Sequence, residues 1–235
     1  MPRRFFSSVD VSGDVIELTG REAHHLQRVL RMQAGELVWL FDGQGQEVLA
    51  EIIATDRDVV QLRVQERRAT SAAATFPVTI ATGVPKGDRF RWLIEKVTEL
   101  GVQRVVPLIT QRSIVDPGQG KLDKLRQTIV EACKQCGRTH LMELTEPLAW
   151  SDCLRDEFPG RQVWIAHPGG EAVSSAELAQ QQASLFLIGP EGGFTDNEVA
   201  DAVSAGARLM SLGPRILRIE TAVVAVATLA CLQSP

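Results

Sequence analysis

No apolar run in this 235-residue chain is long enough to cross a bilayer. The longest, Ala222 to Leu232, falls well short of the roughly 20 residues a membrane helix needs. No apolar stretch follows Met1-Pro2-Arg3-Arg4-Phe5-Phe6 either, so a secretory signal is not expected and a cytoplasmic, membrane-free protein is. Cysteine is scarce, and four residues do not frame a domain of this size with disulfides. Cys133 and Cys136 have the spacing of a zinc or redox pair, but no second such pair and no paired histidines complete a metal site. Both also fall on the helical stripe Leu122, Leu125, Ile129, Cys133 and Cys136, which favours burial over chemistry. No metal is expected. An excess of basic charge is missing too: the net charge is -4, and acidic residues outnumber basic ones in both halves. That excludes a protein that coats nucleic acid along a continuous basic face. The basic residues are local, in Arg3/Arg4, Arg21/Arg28/Arg31, Lys86/Arg89/Arg91 and Lys134/Arg138. Each cluster taken alone reads equally well as a solvated helix face.

Hydrophobic content of 44% and charged content of 23% are ordinary for a globular protein. The first 66 or so residues are β-rich. Val38 to Phe41 and Val48 to Ile53 flank Asp42-Gly43-Gln44-Gly45, a short hairpin loop. Val59 to Val64 alternates as a half-buried strand does. A helical piece is expected over Glu22 to Met32, with His24 and His25 on its surface. Arg67 to Thr75 lacks hydrophobic periodicity and reads as a linker, which places domains at 1–68 and 76–235. The second region alternates strands (Val78 to Thr82, Arg104 to Ile109, Leu141 to Leu144, Val163 to Ala166, Leu185 to Ile188, Arg208 to Leu212) with helices. Phe90, Leu93, Ile94, Val97 and Leu100 share one helix face. Such alternation predicts an α/β fold, a mostly parallel sheet with helices on both sides.

Two glycine-marked turns follow the last two strands. The first is Gly189-Pro190-Glu191-Gly192-Gly193-Phe194. The second is Leu212-Gly213-Pro214-Arg215-Ile216-Leu217-Arg218. Ligands of parallel sheets sit beyond the carboxyl ends of the strands, and glycine lets backbone approach a ligand closely, so two such turns predict one backbone-lined pocket. A purely structural βα turn is the plainer reading of either alone. After the first turn, Thr195 and Glu198 form a capping box, Phe194 and Val199 a hydrophobic staple, and Gly206 a C-terminal stop. The spacing is neither a dinucleotide fingerprint nor a P-loop, although pattern alone admits a nucleotide-binding α/β protein.

The paired segments Gly189-Pro190-Glu191-Gly192-Gly193-Phe194 and Leu212-Gly213-Pro214-Arg215-Ile216-Leu217-Arg218-x-Glu220-Thr221-Ala222 resemble the signature of the ribosomal small-subunit methyltransferase E family. That family belongs to the knotted SPOUT class of RNA methyltransferases. Arg3-Arg4-Phe5-Phe6, His24-His25-Leu26-x-x-Val29-Leu30-Arg31, Lys86-Gly87-Asp88-Arg89, Lys96-x-Thr98-Glu99-Leu100-Gly101-Val102 and Glu131-Ala132-Cys133-x-Gln135-Cys136-Gly137-Arg138 fit it in order, so the likeness spans nearly the whole chain. One departure is Ile219, where the family more often has threonine.

The resemblance implies an N-terminal PUA-like β-barrel that binds RNA, followed by an α/β-knot domain with a deep trefoil knot. It implies S-adenosylmethionine as cofactor and N3 of a uridine in 16S ribosomal RNA of the small subunit as target. The implied cofactor-binding residues are Leu187, Ile188, Gly189, Glu191, Gly192, Leu212, Gly213, Ile216, Leu217, Thr221 and Ala222. Arg3, Arg4, Arg28, Arg31, Lys86, Arg89 and Arg138 are the implied RNA contacts. Methylation at N3 must remove an imide proton, a task for a carboxylate base or for cations that stabilise the developing anion. Arg218 and Glu220 stand nearest the second turn; a buried ion pair fixing the loops is an equal reading for Glu220 and the stronger one for Glu191. A related knotted enzyme with another RNA target, and a non-catalytic RNA-binding module, are the alternatives. The segment from Ala222 to Leu232 is apolar almost all round. Burial inside one domain accounts for this, while the resemblance implies a two-fold homodimer paired through this helix, with Arg89 or Arg138 reaching the partner's pocket.

Overall fold

The structure, a computed structural model, describes residues 2–69, 77–178 and 183–231. These fall into two compact units, one of residues 2–69 with 133–141 and one of the remainder. In the first unit, strands β1 (Arg3–Phe6), β2 (Val15–Thr19), β3 (Leu37–Phe41), β4 (Gln46–Asp56) and β5 (Val59–Ala69) form one sheet in the order β1-β3-β4-β5-β2. The β1–β3 pair is parallel and the others antiparallel. Alternation drives the packing. Ile16 and Leu18 point inward from β2, as do Val48, Ala50 and Ile52 from β4. Residues of both edge strands (Phe5, Ile16 and Leu18) join the central ones in one buried cluster, so the sheet curls around a single core.

Several expectations change in detail here. The hairpin at Asp42–Gly45 forms, with Asp42 Oδ1 accepting from the amides of Gln44 (2.7 Å) and Gln46 (3.0 Å). The helix expected over 22–32 is shorter: α1 (Gly20–His24) runs into a π-helical turn at His25–Val29. Arg31 follows with a left-handed φ of 52°. Strands β1 and β2 were not among the expected strands. Arg67, Arg68 and Ala69 belong to β5 rather than a linker, pairing with Val48, Glu47 and Gln46. Residues 70–75 of the expected linker lie outside the described residues.

The second unit holds a seven-stranded parallel sheet. Its order is β12 (Arg208–Ser211), β10 (Gln162–Ala172), β11 (Ser184–Ile188), β6 (Val78–Thr82), β7 (Arg104–Ile109) and β8 (Glu143–Leu144), with β9 (Leu148–Ala149) beside β7. The central strands β6 and β11 are buried throughout, as strands covered on both faces are. Cys153 of α4 (Trp150–Glu157) and Ala202 of α6 (Asp196–Ser204) share a core with Val106, Val163, Leu185 and Leu187. Helix α7 (Ile219–Cys231) packs on α2 (Arg89–Glu99), the short α5 (Ser175–Leu178), β6 and β11. The expected stripe of α3 (Gln119–Cys136) is buried at Leu122, Leu125, Ile129 and Cys133, but Cys136 is exposed. The stripe therefore ends one turn earlier than its spacing implied. Among the described residues no cluster of three or more His, Cys, Asp or Glu could hold a metal, and no helix is long and apolar enough to cross a membrane.

Candidate active site

The first glycine turn is stiff. Thr195 caps α6: its hydroxyl accepts from the Glu198 amide (3.3 Å), while Glu198 Oε2 accepts from the Thr195 amide (2.8 Å). Such a cap contributes about 1 kcal/mol. Phe194 is buried and Val199 packs against the same core, as the staple predicts. Gly193 takes a left-handed φ of 69° and donates to the Pro190 carbonyl at 2.8 Å, closing the turn. The turn is also braced from β6. The Gly83 amide donates to the Ile188 carbonyl (2.9 Å), and a β-carbon at Gly83 would lie 2.6 Å from Pro190 N. Only glycine fits there.

The second turn leaves β12 and enters α7, whose first turn is opened by the Arg218 carbonyl accepting from the Ala222 amide (2.9 Å). Within it Ser211 Oγ accepts from the Gly213 amide at 3.3 Å. A third loop, His167 to Gly170, joins the two. It is a bulge in β10, where the register against β12 shifts between Ala166 and Glu171, and His167 Nδ1 accepts from the Gly169 amide (3.1 Å). The three loops enclose a cavity of about 590 Å³ at the carboxyl ends of β10, β11 and β12. That size suits a small-molecule ligand.

Of the residues expected to bind a cofactor, Ile188, Gly189, Glu191, Leu212, Gly213, Ile216, Leu217 and Ala222 line this cavity, as does Arg218. Three do not. Leu187 lies fully buried in the core, Gly192 faces the Arg112 side chain, and Thr221 is exposed on α7. Their places are taken by Ala166, His167, Pro168, Pro190, Phe194 and Ile219 among others. The β10 loop was legible in principle: Gly169-Gly170 ends an apolar strand as the other glycine turns do. The apolar Ile219 forms wall rather than a polar contact.

Glu220 is buried, and Arg89 reaches both it (Nη1 to Oε1, 3.7 Å) and Glu191 of the first turn (Nη2 to Oε1, 3.5 Å). Arg89 thus links the first turn to the start of α7 within its own chain. Glu220 Oε2 is buried with no hydrogen-bond partner among the described residues. A carboxylate held by a cation on one oxygen and bare on the other is suited to accept a proton. Of the basic residues, Arg3, Arg28, Arg31 and Lys86 are exposed. Arg4 is half-buried, pairing with Glu47 (2.8 Å), lying over Phe41 (5.0 Å) and donating to the Arg138 carbonyl (3.4 Å). Within the first unit it therefore already has a carboxylate, a ring and a carbonyl as partners. Arg138 is half-buried beside it.

A family model described as an RNA methyltransferase domain matches residues 72–231, and one described as an RNA methyltransferase PUA domain matches residues 18–65. The chain thus carries the domain pair of an RNA methyltransferase. Ribosomal RNA small subunit methyltransferase E of Synechocystis sp. is 33% identical over 213 residues, 88% of this chain and 69% of that protein. The protein of the same name from Bacillus subtilis is 31% identical, over 87% of this chain and 85% of its own length. The chain belongs to the ribosomal RNA small subunit methyltransferase E family. Among solved structures, the Neisseria gonorrhoeae ribosomal RNA small subunit methyltransferase E bound to S-adenosyl methionine superposes with a TM-score of 0.88 at 28% identity, covering 97% of this chain and 95% of that one. A Legionella pneumophila structure, a putative methyltransferase in complex with the bound cofactor SAM, gives 0.87 at 30% identity, covering 98% and 97%.

Proposed function

We propose that this protein transfers a methyl group from S-adenosylmethionine to N3 of a uridine in 16S ribosomal RNA. The observation that carries this reading is the cavity: three backbone-rich loops surround it, and Glu220, whose Oε2 is buried without a hydrogen-bond partner among the described residues, lies in sequence between the lining residues Ile219 and Ala222. The residues fit the cofactor. Glycine turns leave main-chain amides and carbonyls open to a nucleoside, while Ile188, Leu212, Leu217 and Ile219 supply apolar contacts. The bound cofactor supplies an activated methyl on a sulfonium, so the protein mainly aligns the reactants and excludes water. Glu220 takes the imide proton of the target base on Oε2. Arg218, on the cavity wall, offsets the negative charge that develops on the ring, and Arg89 holds Glu220 in place.

Arg3, Arg28, Arg31 and Lys86 serve as phosphate contacts in this reading, with 1–68 as the RNA-binding domain and 76–235 as the catalytic one. In this reading the second unit carries the trefoil knot that the family likeness implies, a reading supported by β11 lying between β10 and β6 and by α7 packing on β6 and β11. The protein acts in the cytoplasm as a two-fold homodimer through α7. Burial within one chain covers Ala222, Val223, Val226, Ala227 and Ala230 but leaves Thr221, Val224, Ala225 and Thr228 partly or fully open. Those four share one helix face.

The test is calorimetric binding of S-adenosylmethionine, then incubation with small subunits or their RNA and mass spectrometry of the digested nucleosides. N3-methyluridine in the RNA is the expected product. Absence of cofactor binding overturns the methyl-donor reading, and binding without N3-methyluridine overturns the target alone.

A further inference from the structure

The geometry points to Arg112 as a positioning residue for the cofactor cavity: it clamps the first glycine turn from outside. The inference rests on the reading that S-adenosylmethionine occupies that cavity. Arg112 sits in the Thr110–Ser113 turn at the end of β7, itself closed by the Ser113 amide donating to the Thr110 carbonyl (3.1 Å) and the Thr110 amide to Ser113 Oγ (2.9 Å). Its Nη1 donates to two carbonyls of the glycine turn, Gly192 at 2.8 Å and Phe194 at 3.3 Å. These peptides bracket Gly193, which lines the cavity with Phe194. A charged donor shared by two carbonyls fixes the orientation of both peptide planes, and with them the backbone presented to a ligand.

Two further contacts make this a built joint rather than a passing surface contact. The Arg112 stem lies flat on Gly192: a β-carbon there would stand 3.3 Å from both Arg112 Cβ and Cδ. One residue earlier, the Gln111 amide donates to Glu198 Oε1 at 2.8 Å. Glu198 is the capping-box residue whose other oxygen accepts from Thr195. The loop after β7 therefore grips both the middle and the far end of the turn. Arg112 lies well apart in sequence from that turn and is not among the residues that line the cavity. Its effect must pass through the backbone of 192–194.

The consequence is a split between binding and chemistry. Arg112→Ala should raise the Kd and KM for S-adenosylmethionine by about tenfold, the loss expected for charge-assisted hydrogen bonds, with kcat at saturation within about twofold. Free guanidinium at millimolar concentration should recover part of the affinity. Gly192 has no left-handed φ, so Gly192→Ala tests the same joint by displacing the stem. It should weaken binding several-fold in the wild-type background and leave Arg112→Ala unchanged, because the stem is already gone. Calorimetry on the full chain and its three variants, with steady-state methyl transfer, measures all of this. Unchanged cofactor affinity in Arg112→Ala overturns the inference, as do additive effects of the two substitutions or a loss confined to kcat. Failure of the wild-type protein to bind S-adenosylmethionine strikes the functional reading instead.

Discussion

The two glycine turns of the second unit have similar sequences and opposite mechanical character. Gly189–Phe194 is gripped on every side: Gly83 from β6, Arg112 from the loop after β7, and the Thr195–Glu198 box below it. Leu212–Arg218 has Ser211 holding Gly213, and at its tip Ile216 is 97% exposed. Segments with few buried contacts are the ones that adjust at low cost. One wall of the cavity is thus preformed and the other adaptable. Of the two residues proposed for the chemistry, Arg218 lies on the adaptable side, while Glu220 is buried at the start of α7 beside Arg89. The division this suggests is that the stiff side governs affinity and the other side governs rate, and the variants below test it.

The strongest test of that division is Glu220→Gln. With Glu220 as the proposed base, its loss should lower kcat by about a hundredfold or more while the Kd for S-adenosylmethionine stays within about twofold. A comparable loss of cofactor affinity would show that Glu220 only braces the loops through Arg89. Next comes Gly189→Val on the stiff wall. A β-carbon there already meets Phe194 N at 3.1 Å, so the larger side chain must shift the turn. Overpacking of this kind costs about 1–3 kcal/mol. Cofactor affinity should fall by about ten- to a hundredfold, with kcat at saturation largely retained. Calorimetry beside steady-state kinetics separates the two outcomes.

The two walls also differ in how much of them the sequence reveals. The first turn could be read with its cap, staple and stop because those signals are local: Thr195, Glu198, Phe194, Val199 and Gly206 lie within a dozen residues. Strands β6, β7 and β11 were legible for the same reason, as short apolar runs between breakers. The grip on the turn was not legible. Gly83 and Arg112 are each about a hundred residues or eighty residues from their partners, and neither sits in a pattern that marks it. Arg4 shows the converse case, a residue whose partners its sequence neighbour does not reveal. A basic pair at Arg3-Arg4 looks like one surface patch, yet successive residues of β1 face opposite sides of the sheet, and Arg4 turns towards Glu47 and Phe41. The β10 loop was missed because Val163 to Ala166 ends as a strand in sequence, while the fold carries β10 through a bulge to Ala172.

A smaller effect is expected at the exposed tip. Ile216→Ser removes an apolar side chain from the rim and should change stability by less than about 0.5 kcal/mol. Cofactor affinity should move by less than about threefold. If Ile216→Ser instead weakens S-adenosylmethionine as much as Gly189→Val does, the second turn closes on the cofactor and the contrast between the walls is wrong. Sedimentation of the same variant shows in addition whether the tip takes part in pairing of the chains.

The smallest effect at neutral pH lies beneath the stiff wall, at Cys153. This α4 residue is fully buried in the same core as Phe194, and burial, reinforced by the negative charge of Glu157, pushes its thiol up to about 12. The native protein therefore keeps the proton where the unfolded chain, near 9, releases it. Stability from this site is fully present below pH 9 and declines as pH rises towards 12, where the loss reaches roughly 4 kcal/mol by the usual conversion of about 1.4 kcal/mol per unit. At pH 8 nothing should be lost. Exposed Cys136 should react promptly with a thiol reagent there, while Cys153 reacts only on unfolding. Urea midpoints measured from pH 8 to 11 should fall for the wild type and fall less for Cys153→Ala. Parallel pH dependence of the two proteins would show that the core under the first turn does not hold its thiol protonated. Prompt modification of Cys153 at pH 8 would show that this wall opens readily, and that the two turns do not differ as described.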